Sequence, residues 1–131
     1  MPAAPLPANV ERFLDAPRAS VVATLRDDGS PVTAAVWYRW ADGLLHMSMG
    51  AASQRARHLR RDPRLSLTVL GDSWYTHVSL LGRAVSIAED TDYSALDALA
   101  QWYTGAPYTD HESPSLTVTA EVERWHTFGE I

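Results

Sequence analysis

The sequence has 131 residues, a formal net charge of −5 and no cysteine. Its length fits one domain, its acidic balance argues against a surface that binds nucleic acid throughout, and the lack of thiols excludes disulfides, cysteine catalysis and cysteine-ligated zinc. The amino terminus has no signal-peptide pattern and no apolar run approaches the roughly 18 residues of a membrane helix, so we expect one cytoplasmic domain over residues 1–131, without a nucleic-acid or membrane partner.

The amino-terminal region predicts a loose lead-in followed by one short helix. Residues 1–8 are expected to form the lead-in. The helix follows within residues 9–17, where Asn9 can cap it and Pro17 stops it. Its apolar residues share one face, and they are Val10, Phe13 and Leu14.

Three strands joined by tight turns come next. Residues 19–25 and 31–40 are rich in β-forming residues and flank an Asp-Gly pair, which is typical of hairpin turns. Residues 41–43 form a second turn into a strand over 44–49, where apolar and polar residues alternate. We expect these three strands to form a meander.

The middle of the chain predicts a helix and two further strands. Ser53 can cap a helix that runs to Arg61. Strand character resumes over 65–71, and the long run 73–89 contains Gly82, which suggests a bulge or bend.

The last elements are a helix and a strand. The helix has apolar residues at helical spacing and Gly105 as its C-terminal stop, and residues 115–128 alternate as the final strand. The fold class is therefore mainly β (α+β): a small six-stranded antiparallel barrel with a few short helices.

A cluster of arginines follows the third strand of this otherwise acidic, lysine-free chain. The first backbone N–H groups of the helix beginning at Ser53 lack internal partners, and the helix dipole favours an anion there. Arg55 and Arg57 can both reach a ligand beyond that end, and Gly50 leaves room for close approach. Since guanidinium groups match phosphate oxygens, we predict a phosphate site here. The full cluster is Arg55, Arg57, Arg60, Arg61 and Arg64.

A second interpretation treats the cluster as an ordinary solvated helix face. Arg60, Arg61 and Arg64 lie a turn or more behind the helix start, where they can be solvated or paired with Asp62 and nearby carboxylates. Arg55, like Arg57, lies at the positive end of the dipole, where a cation indicates a bound anion.

The order of these motifs resembles a known family. V-W-x-x-W at residues 36–40 and S-x-R-x-R-x-L-R-R-D-P-R at residues 53–64 stand on either side of the third strand. This resembles the pyridoxamine-5′-phosphate-oxidase-like FMN-binding split β-barrel family, and within it the branch that uses the deazaflavin F420. The resemblance spans residues 10–128, and the block 24–64 is its specific part.

The resemblance implies a six-stranded split barrel and a homodimer with cofactor sites at the interface. It implies that the cofactor phosphate lies at Ser53, Arg55 and Arg57, and that the ring system lies against the second and third strands. Trp74 is a candidate for reaching across the interface, and Arg60 for an acidic cofactor tail. The family often has lysine at the position of Arg55. The remaining predicted cofactor contacts are Gly50, Met49 and the backbone of Val36, Trp37 and Tyr38.

The ring site has a structural alternative for several of these residues. A flavin-like ring needs a flat apolar slot with backbone donors and acceptors at one edge. Trp37 and Trp40 can equally be core residues, and core is the preferred interpretation for Met47 and Met49. Five residues are candidates for a catalytic acid by their chemistry but none by its spacing, and no spacing suggests a metal site. These candidates are Tyr38, His46, His58, His77 and His126.

The leading functional hypothesis is an F420-dependent oxidoreductase that transfers a hydride between a reduced deazaflavin and a small conjugated organic substrate. FMN is the alternative cofactor. A non-catalytic protein that binds a flavin or tetrapyrrole is the alternative from another class, because fold does not fix function. Vitamin B6 oxidation is not expected, because the carboxyl terminus lacks the basic substrate-phosphate residues of authentic pyridoxamine-phosphate oxidase.

Overall fold

One antiparallel sheet of seven strands organises the chain, with three helices packed around it. The computed structural model describes all 131 residues. The elements are α1 (Ala8–Leu14), β1 (Ser20–Leu25), β2 (Pro31–Ala35), β3 (Tyr38–Ala41), β4 (Leu44–Gly50), α2 (Gln54–Arg61), β5 (Arg64–Leu70), β6 (His77–Glu89), α3 (Ser94–Thr104) and β7 (Ser115–Phe128).

The strand order, β2-β1-β5-β6-β7-β4-β3, places two strands that are consecutive in sequence at opposite edges of the sheet. The chain passes from β2 to β3 through Val36 and Trp37, which we call the β2–β3 crossing. No backbone ladder joins β2 to β3, so the barrel is open at this point, as the predicted split barrel requires.

The prediction of one strand over 31–40 is therefore wrong, as are the three-strand meander and the count of six strands. Residue 35 pairs with Val21 of β1, whereas Tyr38 pairs with Met47 of β4. More and less buried side chains nevertheless alternate through the crossing, with the even-numbered residues the more buried. The pattern in the sequence thus follows the faces of the sheet and carries no sign that the pairing partner changes.

The strands β6 and β7 form the longest ladder. Its register shifts between Leu81 and Gly82, where the backbone carbonyl of Glu121 comes so close that only a glycine fits at position 82. This confirms the predicted bulge. The strand begins at His77, however, and residues 73–76 form a turn, so the predicted strand 73–89 was too long at its start.

The helices follow the sequence closely. The helix α1 buries its predicted apolar face, but it begins after Pro7, and Asn9 lies inside it and not at its cap. Ser53 caps α2, and Gly105 ends α3 with a φ of 81°. None of the three helices is long and apolar enough to cross a bilayer.

The amino-terminal segment is ordered against the sheet, which corrects the prediction of a loose lead-in over residues 1–8. Beyond Ala120, β7 pairs only with β6, so its other edge is open. The N–H of Ala4 donates to the carbonyl of Glu123 at 3.0 Å, and Leu6 is buried in the core. The segment thereby covers an edge that would otherwise present unpaired backbone groups.

Candidate functional site

A groove of about 610 Å³ opens beside the β2–β3 crossing. Its residues come from the crossing, the ends of β1 and β4, the first turn of α2, and α3 with the loop that follows it. We distinguish three parts of the groove. The α2 end has Gly50 and Arg55 in the groove lining, and we include in it Ser53 and Gln54, which lie between them in the chain. The floor is Val36, Ser48 and Met49, and the wall is Trp37, Tyr103 and Tyr108.

The α2 end carries unused hydrogen-bond donors. The Ser53 hydroxyl accepts the N–H of Ala56 at 3.2 Å. The backbone N–H groups of Gln54 and Arg55 have no partner within the chain. Nη1 of Arg55 donates to the carbonyl of Ala35 at 3.2 Å, which directs this side chain toward the β2–β3 crossing.

The arginines of the cluster separate into three groups. Arg55 lines the groove, whereas Arg57 and Arg60 are exposed, and their side chains make no ion pair or hydrogen bond within the chain. Arg61 pairs with Asp27, and Arg64 contacts Asp62 at 2.8 Å. The prediction that the later arginines are solvated or paired is confirmed, while Arg57 lies outside the groove lining of the single chain.

The second half of α2 is fixed to the end of β1. The Thr24 hydroxyl and Nδ1 of His58 lie 2.9 Å apart and are both buried. Nη2 of Arg61 donates to the carbonyl of Leu25 at 2.6 Å. These contacts hold the axis of the helix, and with it the direction in which its free N–H groups point.

The floor contains one polar atom without a partner. Oγ of Ser48 is shielded from solvent and makes no hydrogen bond. Such groups are uncommon in folded proteins because each costs about 1–3 kcal/mol. The neighbouring Met49 is 2% exposed and lines the same groove, so it is both a core residue and a groove residue.

The wall is a cluster of three aromatic rings. The Trp37 indole stacks on Tyr103 with ring centroids 5.3 Å apart and an interplanar angle of 16°. Tyr108 meets the indole edge-on at 5.9 Å. Offset stacks and edge-on contacts of this kind are the favoured aromatic geometries.

Two further predicted site residues, Tyr38 and Trp74, do not line the groove of the single chain. The Tyr38 side chain is fully buried, and its hydroxyl donates to the carbonyls of Leu14 and Ala16, so it belongs to the core. Burial raises the pKa of Tyr38, which does not suit it to proton transfer. Trp74 is 82% exposed on the turn before β6 and does not line the groove.

The histidines considered as acids also lie outside the groove lining. His58 bonds Thr24 in the interior, and Nε2 of His46 contacts the carbonyl of Ala41 at 3.2 Å. His77 stacks on Phe128 with centroids 5.5 Å apart. Each therefore has a structural partner away from the groove, except His126, which is exposed on β7.

The sequence interpretation missed the groove residues that follow α1 and α3. Nε of Arg18 donates to the carbonyl of Phe13 at 2.8 Å, which leaves Arg18 between α1 and the groove. The carboxylate of Asp110 accepts the N–H groups of Ser113 and Glu112, which lower the pKa of Asp110 to about 2. Helical spacing had indicated the face of α3 that carries Tyr103, but no local signal indicates what that face meets.

The groove fits a phosphorylated planar ring. The α2 end supplies free N–H groups and a guanidinium, which suit a phosphate. The floor is apolar apart from Ser48 Oγ, whose missing partner could be a polar atom at the ring edge. Gly50 has open space where a side chain would stand, so backbone and ligand can approach closely at this point.

Comparisons with known proteins agree with this fold. The sequence profile of the pyridoxamine 5′-phosphate oxidase family matches residues 6–128. No functionally curated protein matches by sequence.

Three solved structures illustrate the similarity. An F420 reductase superposes with a TM-score of 0.83 at 22% identity, over 92% of this chain and 98% of that chain. A conserved hypothetical protein from Mycobacterium tuberculosis gives a TM-score of 0.74 at 30% identity, over 96% and 86%. General Stress Protein 26 from Bacillus anthracis gives 0.68 at 17% identity, over 89% and 88%.

The profile match covers nearly the whole chain, and the open sheet agrees with the split barrel that the family resemblance implied, with seven strands in place of six. The chain belongs to the pyridoxamine 5′-phosphate oxidase family of flavin-type oxidoreductases.

Proposed function

We propose that the protein is an F420-dependent oxidoreductase that transfers a hydride between a reduced deazaflavin and a small conjugated organic substrate. The observation that carries this proposal is the start of α2: two of its backbone N–H groups have no partner within the chain, and the Arg55 side chain beside them lines a groove with an apolar floor. The similarity of the fold to that of an F420 reductase supports the choice of cofactor.

In this proposal each part of the groove has its own task. The Ser53 hydroxyl, the N–H groups of Gln54 and Arg55, and the Arg55 guanidinium hold the cofactor phosphate. Arg57 reaches the same phosphate from the outer side of the helix, after a change of rotamer. Arg60, one turn further on, is free to contact an acidic extension of the cofactor.

The ring lies on the floor, over Val36 and Met49, with Trp37 beside it. Ser48 Oγ gains its missing hydrogen bond from the polar edge of the ring. The backbone of Tyr38 lies behind the ring site, although its N–H already donates to Tyr103. When bound, the deazaflavin supplies the hydride, and the chain contributes placement and a dry surface.

We further propose that the active form is a cytoplasmic homodimer. Trp74 and Tyr75 are 82% and 77% exposed on one turn, and Phe128 is 52% exposed at the nearby end of β7. Large aromatic residues are enriched at interfaces, and this exposed set lies at one end of the longest ladder. A partner subunit that covers it would place Trp74 in contact with the second chain.

The test is a titration of the purified protein with F420 and with FMN, followed by absorbance and fluorescence, together with sedimentation equilibrium. We expect F420 binding that falls by at least about 100-fold in the double variant Arg55→Ala/Arg57→Ala, because charge-assisted hydrogen bonds to phosphate are lost. Arg60→Ala is the matched control, and its affinity should change by no more than about threefold.

Three results would change the assignment. Tight retention of FMN without F420 uptake would make FMN the cofactor. Bound cofactor without reduction of any enone, quinone or biliverdin would favour a binding protein without turnover. Unchanged affinity in the double variant would show that the cofactor phosphate does not bind at the α2 end.

A further inference from the structure

The β2–β3 crossing has no backbone ladder, and a side chain of α3 bridges the gap. The Tyr103 hydroxyl donates to the carbonyl of Arg18 at 2.9 Å and accepts the N–H of Tyr38 at 3.3 Å. Arg18 leads into β1, and Tyr38 is the first residue of β3. One hydroxyl therefore joins two segments that the sheet itself leaves unpaired.

The other side of the crossing is held by Ser20. Its carbonyl and its hydroxyl both bond Val36: the N–H of Val36 donates to the carbonyl of Ser20 at 3.2 Å, and the Ser20 hydroxyl donates to the carbonyl of Val36. Trp37 thus lies between two fixed backbone positions, residue 36 held by Ser20 and residue 38 held by Tyr103.

The ring of Tyr103 also touches the Trp37 side chain directly, through the stack at 5.3 Å. Backbone and side chain of the crossing are thereby held by the same residue. Burial raises the pKa of Tyr103, so its hydroxyl keeps the proton that it donates to Arg18 at neutral pH.

We propose that Tyr103 is a positioning residue that sets the orientation of the Trp37 indole, and with it the shape of the groove wall beside a bound planar ring. The ligand part of this inference rests on the proposed function, whereas the control of Trp37 does not. The hydroxyl fixes the backbone of the crossing, and the ring fixes the indole.

The control of Trp37 is tested without any cofactor. The protein is labelled with 5-fluorotryptophan, and Trp37→Phe identifies the ¹⁹F line of Trp37 among those of the five tryptophans. Tyr103→Phe keeps the ring and removes the hydroxyl. We expect the Trp37 line to shift or broaden while the lines of Trp74, on the turn before β6, and Trp125, on β7, stay unchanged.

Tyr93→Phe is the matched control, because the Tyr93 hydroxyl also donates to a backbone carbonyl, that of Ser113 at 3.2 Å, without touching Trp37. The inference is overturned if the Trp37 line does not move in Tyr103→Phe, or moves equally in Tyr93→Phe. Hydrogen exchange in the unmodified protein provides a second measurement that needs no substitution: the Tyr38 amide should be protected like a ladder amide, and rapid exchange would contradict the bond.

The ligand part is tested by titrating Tyr103→Phe with F420, with FMN and with inorganic phosphate. We expect the ring cofactor that the unmodified protein binds to bind about tenfold more weakly, and phosphate to bind equally well, because the α2 end is intact. Equal affinity for the cofactor would overturn the ligand part. If the unmodified protein binds neither cofactor, the proposed function fails, and the ¹⁹F result still decides the role of Tyr103.

Discussion

The α2 end of the groove and its aromatic wall are built from different kinds of contact. At the α2 end, the cap, the free N–H groups and Arg55 all fall within a few residues of Ser53. In the wall, the Tyr103 hydroxyl bonds residues 65 and 85 positions away in the chain. The first region is assembled by one helix start, and the second exists only when α3 packs against the crossing.

The two regions should therefore contribute differently to binding: the α2 end to the affinity for a phosphate, and the wall to the fit of a planar ring. Charge-assisted hydrogen bonds at the α2 end are directional and strong, so they should dominate the binding of a phosphate. Stacked rings contribute about 0.5–1.5 kcal/mol per pair beyond burial and select flat ligands. The comparison is sharpened by substitutions that change one region and leave the other intact.

The largest effect is expected for Arg55→Ala at the α2 end. This change removes the groove guanidinium, and cofactor affinity should fall by about 100-fold, or about 2.7 kcal/mol. The free energy of unfolding should change by no more than about 1 kcal/mol, since only the bond to Ala35 is lost. Arg57→Ala, an exposed neighbour outside the groove lining, should weaken binding by only about threefold. Isothermal titration and urea unfolding check both variants, and equal losses would mean that the two arginines share the phosphate equally.

A smaller effect is expected for Trp37→Ala in the wall. The variant lacks the indole that stacks on Tyr103 and meets Tyr108 edge-on, so the wall beside the ring is no longer intact. A ring cofactor should therefore bind about tenfold more weakly. Inorganic phosphate should bind as before, because the α2 end is unchanged. Competition between phosphate and cofactor, measured by fluorescence, separates the two effects. A loss of phosphate binding would show that the wall and the α2 end are not independent.

Ser48→Ala should have opposite effects on stability and binding. Removing the unpartnered hydroxyl should stabilise the free protein by about 1 kcal/mol, and it should weaken cofactor binding by about fivefold. Ser86→Ala, at an exposed position on β6, is the control and should change stability by less than about 0.5 kcal/mol. Urea unfolding with and without cofactor is the measurement. Destabilisation of the free protein would indicate that Ser48 already has a partner in solution.

The smallest effect is expected from acidification of the loop beside the wall. The N–H groups of Ser113 and Glu112 hold the pKa of Asp110 at about 2, below the usual value near 4. Because the pKa of Asp110 is lowered, the stabilisation of the loop by its ionised carboxylate is present above pH ~4 and is lost as the pH falls through about 2. The amide resonances of these two residues should therefore shift between pH ~4 and ~2. Asp110→Asn keeps an acceptor and should remove the titration, and shifts that persist in it would have another origin.

Most of the local elements were predictable because their signals are local. The cap at Ser53, the stop at Gly105 and the bulge at Gly82 each depend on a few neighbouring residues. The docked amino-terminal segment was not predictable, since it depends on the open edge that β7 presents beyond Ala120. The break at residues 36–37 was equally hidden, because side-chain alternation continues through it.

By itself, the sequence determined the helices and most of the strands, and it predicted an anion site at the start of α2, since each of these follows from propensity, capping and charge within one turn or strand. Only the tertiary structure decided that β2 and β3 lie at opposite edges of the sheet, that Tyr38 faces the core, and that Tyr103 meets Trp37. These contacts join residues far apart in the chain, and their stability comes from packing in three dimensions, which periodicity along one strand or helix does not encode.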